Sequence, residues 1–272
     1  MKPMIIGKKE FDQIQQRAPG ESFQLQVDCG SRSVSVERKA REAIIDGAVR
    51  LRLDQKLKDN FLYLIENEEV TKIAFFSEHT NRFYKLMPTA DWPTIAIGSV
   101  PMHRRISPQA DSMNKIRLLK PRGCVLDTCM GCGYTAILAA ETAKKVITFE
   151  KDDTILELAR LNPYSQALFR YTNIEIRRGD ISVAINEFPD DLFDCITHDP
   201  PTFTLAPELF SGAFYKQLWR VLKPNSRLFH YTPLYKVKQG VDFPSNVQKK
   251  LKKVGFQKLQ FSKLAGGILC VK

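Results

Sequence analysis

The chain has 272 residues, 43 % of them hydrophobic, which suffices for one large domain or two unequal ones with a real core and sets aside disordered and fibrous classes. Forty-one Lys and Arg against thirty Asp and Glu leave a formal net charge of +11, which favours polyanionic partners, nucleic acid first, although net charge also simply keeps a protein soluble. No apolar run approaches the length of a membrane span, and charges interrupt MKPMIIGKKEFDQIQQR where a signal peptide needs an apolar stretch, so the expected location is cytoplasmic.

In chain order, FQLQVD, SVSVER, AVRLRL, KIAFFSE and RFYKLM alternate apolar and polar positions as short strands do, and predict a small α+β domain over residues 1–100. Between them, DQKLKDNFLYLIENEE has the spacing of an amphipathic helix, although its last turn also suits a hairpin. ADWPTIAIGSVPMHRRISP carries irregularly spaced prolines and reads as an extended connection to a second domain, residues 101–272. There DSMNKIRLLK, YTAILAAETA, DTILELARLN and AFYKQLWRVLK read as helices. CVLDTC, KVITFE, NIEIRRGD, FDCITHDPP, RLFHYTP, FQKLQF and GGILCVK read as strands among them. Such alternation implies an α/β fold: a Rossmann-like, mostly parallel seven-stranded sheet with helices on both faces.

The six cysteines sit in apolar or glycine-rich contexts, as reduced packing thiols do. Cys129 and Cys132 form a lone CxxC without a second ligand pair, and the histidines are dispersed, so no metal site is expected.

The strand VLDTC runs into a turn holding Gly131 and Gly133, where a missing Cβ lets backbone approach a nucleotide-like cofactor. GCGYTA also satisfies the looser G-x-G-x-x-A dinucleotide pattern, so a nicotinamide enzyme competes with one using S-adenosylmethionine (SAM). Asp127, four residues before Gly131, decides between them: a carboxylate there repels a pyrophosphate but suits the amino group and sulfonium of SAM. The next strand ends in Glu150, near the position from which an acidic residue reaches ribose hydroxyls, and the third ends in Asp180.

VLDTCMGCGYT, FEKD, GD and DPPT, in that order, resemble successive motifs of the class I SAM-dependent methyltransferases over roughly residues 107–272. The resemblance implies Asp127, Gly131 and Gly133 around the methionine part of SAM, Glu150 on the ribose, and Asp180 with Ile181 at the adenine, with Lys151 also among the cofactor-binding residues. In this family (D/N)PP(Y/F) marks methylation of exocyclic amines of bases and of glutamine amides. Here Thr202 replaces the aromatic residue, and Phe203 follows one position later as a substitute stacking ring. The small β-rich module followed by a DPPT-bearing domain is also similar to archaeal methyltransferases, some relatives of which modify cytosine amines in ribosomal RNA.

At the DPP turn, Pro200 and Pro201 remove two backbone donors, so the side chain of Asp199 and the Pro200 carbonyl present acceptors to an exocyclic amine. His198, directly before the turn, is either a proton acceptor or a locally bonded packing residue. Basic residues collect in His103, Arg104 and Arg105 at the domain connection, in Lys115, Arg117, Lys120 and Arg122, and in the KVK, KKLKK and FQKLQFSK stretches; they suit a phosphate track or an ordinary solvated face. The expected enzyme methylates an RNA base amine, cytosine N4 of ribosomal RNA first. A protein amide or small amine as acceptor, and a non-catalytic RNA-binding factor of the same fold, remain the alternatives.

Overall fold

A computed structural model of the chain describes residues 3–78, 80–232, 236–237 and 241–272. His79, Pro233 of the RLFHYTP run and Lys238 of the KVK stretch lie outside the described residues. The chain divides into two compact units, one reaching to Pro108 and including Arg160–Tyr164, the other comprising Gln109–Ala159 and Ser165–Lys272.

The first unit is antiparallel. Ser22–Val27, Arg32–Arg38, Glu42–Ile45 and Val49–Arg52 form a four-stranded meander. Its inward residues, among them Leu25, Val34, Val36 and Leu51, share a core with Phe11 and Ile14 of the helix Lys8–Gln15. Two sequence expectations fail in this unit. DQKLKDNFLYLIENEE is not helical: Leu62–Glu66 pairs with both Met4–Gly7 and Glu69–Lys72. Leu62, Tyr63 and Ile65 are buried in these pairings, and the hairpin closes through Asn67 and Glu68, both at positive φ (49° and 69°). Nor is the Pro-rich segment an extended connection throughout. Thr94–Ile97 pairs with Arg82–Met87 and turns at Gly98 into Val100–Pro101.

The second unit is built on seven strands: β1 (Gly123–Asp127), β2 (Ala143–Glu150), β3 (Ile174–Arg178), β4 (Phe193–His198), β5 (Leu222–Tyr231), β6 (Gln257–Ser262) and β7 (Gly267–Val271). Their spatial order is 3-2-1-4-5-7-6. The first five are parallel, and β7 runs antiparallel to both β5 and β6. The helices are α1 (Pro108–Leu119), α2 (Tyr134–Ala140), α3 (Asp153–Leu161), α4 (Ile181–Ala184), α5 (Gly212–Val221) and α6 (Phe243–Val254). Leu126, Ile147, Phe193, Ile196 and Leu228 from the central strands meet Phe214 and Leu218 of α5 and Leu251 of α6 in one core. Central strands buried on both faces explain the continuous apolar runs VITF and FDCI. This is the Rossmann-like α/β sheet that the sequence predicts. Its strand order reverses between β1 and β4, and ligands of such sheets bind beyond the carboxyl ends of the strands at that reversal. Among the described residues no helix is long and apolar enough to cross a membrane.

Candidate functional site

Four chain segments end side by side at the carboxyl edge of the sheet, carrying Asp127 (β1), Glu150 (β2), Asp180 (after β3) and Asp199 (after β4). Asp127 lies opposite Thr148 of β2 and Thr197 of β4, and is only 1 % exposed. The Thr148 hydroxyl donates to its Oδ2 at 2.6 Å and the Thr135 hydroxyl to its Oδ1 at 3.2 Å. Burial raises its pKa to about 7, against the pull of these hydroxyls.

Past Asp127 the backbone enters the glycine turn, with Gly131 at φ 54° and Gly133 at φ 75°. The Gly131 amide donates to Glu150 Oε2 at 3.1 Å, and the Asp152 amide donates to Oε1 at 3.0 Å. Burial lifts the Glu150 pKa to about 7 as well, with these amides opposing. The need for glycine at 133 is internal: a Cβ there would stand 2.6 Å from Leu168 Cδ2 in a left-handed conformation. Gly133→Ala is therefore expected to cost about 1–3 kcal/mol, read by denaturant unfolding, and to distort the turn enough to weaken cofactor binding.

Asp180 caps α4, its Oδ1 accepting from the Ser182 amide (2.9 Å) and hydroxyl (2.7 Å). Burial acts to raise its pKa, but the Ser182 bonds and Lys151 outweigh it and hold the pKa below the ordinary value. Lys151 bridges Asp180 at 3.3 Å and Glu208 at 3.5 Å, and Ile181 is buried beside the cap.

At the DPP turn, the buried ammonium of Lys115 on α1 donates to Asp199 Oδ2 at 2.6 Å and lies 2.5 Å from Asp111 Oδ2. Asp199 Oδ1 and the Pro200 carbonyl accept no hydrogen bond from the described residues. Thr202 starts a turn, its carbonyl accepting from the Leu205 (2.8 Å) and Ala206 (3.2 Å) amides. Phe203 projects from that turn 42 % exposed, its ring at a steep angle to those of Phe210 and Phe243.

His198 is a bonded packing residue. Its Nε2 lies 3.0 Å from the Leu209 carbonyl, which only accepts, so Nε2 carries the hydrogen and Nδ1 accepts from the Thr128 hydroxyl at 2.8 Å. Burial holds its pKa well below the ordinary value, and the ring packs 4.5 Å from that of His230, itself depressed to about 4 by burial. The proton-acceptor reading is thereby corrected: both ring nitrogens are spent inside the fold.

The basic groups divide in the same way. Lys115 is 3 % exposed and cannot line a phosphate track, whereas Arg117, Lys120 and Arg122 are exposed. Lys249, Lys250, Lys252 and Lys253 form the solvated face of α6, with Lys250 tied to the Phe210 carbonyl at 2.9 Å. His103, Arg104 and Arg105 belong to the first unit, where Thr94 Oγ1 and His103 Nδ1 are 2.9 Å apart. Lys115 is the functional candidate that sequence reasoning misassigned, because its partner Asp199 lies 84 residues away.

Asp127 and Glu150 have no ion-pair partner among the described residues, so the turn is flanked by one buried and one half-buried carboxylate, neither paired with a cation there. A phosphate within about 4 Å of either, once ionised, meets roughly 4 kcal/mol of repulsion at an effective dielectric near 20. A cationic ligand bearing hydroxyls fits; a pyrophosphate does not.

No family model matches the chain. Its fold is similar to that of spermidine synthase in complex with the transition state analogue AdoDATO, with a TM-score of 0.61 and 17 % identity over 81 % of this chain and 84 % of that one. Spermidine synthase from Thermotoga maritima gives a TM-score of 0.55 at 17 % identity, covering 80 % and 81 % of the two chains. MnmC2 from Aquifex aeolicus gives 0.51 at 17 % identity, covering 69 % of each. The uncharacterized protein MJ1233 of Methanocaldococcus jannaschii is 44 % identical over 220 residues, 79 % of this chain and 74 % of that protein. At that identity and coverage, the chain belongs to the MJ1233 family.

Proposed function

We propose that this protein is a SAM-dependent methyltransferase whose acceptor is an exocyclic base amine of RNA, cytosine N4 of ribosomal RNA first. The observation that carries the reading is the acidic carboxyl edge of the sheet: two unpaired carboxylates at the glycine turn, and a third, Asp199, with one oxygen open beside a proline carbonyl. Asp127 and Glu150 would hold the cationic, hydroxyl-bearing cofactor, with Asp180 and Ile181 at its far end.

When bound, SAM would supply an electrophilic methyl carbon to the amine lone pair, its C–S electrons returning to sulfur. Asp199 Oδ1 and the Pro200 carbonyl accept the two amine hydrogens, which aims the lone pair and removes the entropy of finding that orientation. As positive charge develops on nitrogen, Asp199 stabilises it, and the surplus proton leaves through the carboxylate to water. Phe203 offers an exposed ring against which the base can stack. The excess of cations and the exposed Arg117, Lys120 and Arg122 favour a phosphate backbone over a neutral small acceptor.

The acceptor class is tested by partition. With labelled SAM and a cell extract, label is expected in the RNA fraction, and transfer is expected to fall steeply between about 50 and 200 mM salt. Label confined to protein or small molecules, indifferent to salt, would remove RNA from the reading.

A pH prediction follows from the two raised carboxylates. A cationic ligand favours their ionised forms, so binding expels protons that Asp127 and Glu150 hold below about pH 7. SAM affinity is expected to rise from pH 6 to 8. Calorimetry in buffers of different ionisation enthalpy should show net proton release near pH 6.5; proton uptake would contradict the assignment.

A further inference from the structure

Burying an ammonium costs several kcal/mol unless charge and hydrogen bonds compensate it. Lys115 is compensated more than neutrality requires. Asp111, one helical turn earlier on α1, already supplies a carboxylate at 2.5 Å. A second arrives from the DPP turn at 2.6 Å, and the ammonium also lies 5.0 Å from the centre of the Tyr231 ring. The Lys115 ammonium thus sits between two carboxylates, holding one oxygen of each.

We propose that Lys115 is a positioning residue for methyl transfer: it holds Asp199 with Oδ2 occupied, leaving Oδ1 to accept the N–H of the acceptor amine. The proposal rests on the reading of Asp199 as the group that holds that amine. The titratable and charged groups that face Asp199 are Lys115 and Asp111 from α1, Asp127 from β1, Cys129 in the glycine turn and His230 from β5, with His198 adjacent in the chain. Both histidines are held neutral by burial, so Lys115 alone in this set offsets the acids. Without it, Asp199 Oδ2 loses its donor, and nothing from α1 holds the carboxylate with Oδ1 turned toward the amine.

Lys115→Met keeps the length and apolar stem of the side chain and removes its charge. The expected result is a SAM affinity within about threefold of wild type, an unchanged KM for RNA, and a kcat lowered about a hundredfold at pH 7. Lys115→Arg, which keeps the cation and its donors, should stay within about tenfold of wild type. A Met variant with wild-type kcat overturns the proposal, as does a loss that the Arg variant shares in full. Should Lys115→Met not fold, Lys115→Met with Asp111→Asn restores the charge balance and is read in the same way.

Wild-type enzyme runs alongside. If it transfers no methyl group to RNA, the amine-transfer reading fails and the catalytic part of this proposal with it. A thermal double-mutant cycle of Lys115→Met and Asp199→Asn then decides separately whether the pair is coupled: strictly additive losses in Tm refute the clamp.

Discussion

Asp199→Asn is expected to lower methyl transfer by about a thousandfold while leaving SAM affinity within about a factor of two. The substitution preserves shape and one carbonyl acceptor but removes the charge that meets positive charge developing on the amine. It also leaves Lys115 with Asp111 as its only carboxylate, which still satisfies the buried ammonium, so the fold should survive. Single-turnover transfer and calorimetric SAM binding separate the two effects. Equal losses in both would mean that Asp199 holds the cofactor and not the acceptor; full activity would remove the mechanism.

Asp127→Asn should do the reverse, weakening SAM binding by tenfold or more while the chemical step in saturated enzyme changes little. The carboxylate is buried beneath the turn, so its influence on a cationic ligand passes through a poorly screened interior. Asn can keep a bond to one of the hydroxyls of Thr135 and Thr148 through its carbonyl and lacks only the charge. Asp127→Ala should be worse in a different currency: two hydroxyl donors lose their acceptor in the core, at about 1–3 kcal/mol each. Calorimetry and urea unfolding on both variants distinguish lost charge from lost structure. Asp127→Asn with wild-type affinity would assign Asp127 to the scaffold of the turn alone.

The seven-stranded sheet was legible because its central strands are buried on both faces and punctuated by glycine or proline. VLDTCMGCG and FDCITHDPP each join an apolar run to a turn that admits few conformations. The acidic residues at those strand ends could be placed by the same logic, since parallel neighbours bring their carboxyl ends together. The first unit was harder. Leu62, Tyr63 and Ile65 lie at spacings that suit either a helix or a strand, and pairing with Met4–Gly7, more than fifty residues earlier, settles the matter. Thr94–Ile97 hid among prolines because its partner strand, not its own composition, makes it regular.

Side-chain chemistry divided along the same line. That Asp199 offers acceptors follows from DPP itself; that Lys115 grips it does not, because Lys115 reads as one cation among several before β1 and no local pattern marks it as buried. His198 was open between base and packing until the Leu209 carbonyl and the Thr128 hydroxyl fixed its tautomer. Gly133 was read as making room for a ligand, whereas the atom it makes room for is Leu168 Cδ2.

The most direct test is methyl transfer from labelled SAM to total RNA by the purified protein, followed by nucleoside analysis of the product. A new cytidine methylated on its exocyclic nitrogen is expected, absent with Asp199→Asn. Measurable SAM binding with no methylated base amine in RNA would contradict the proposed function.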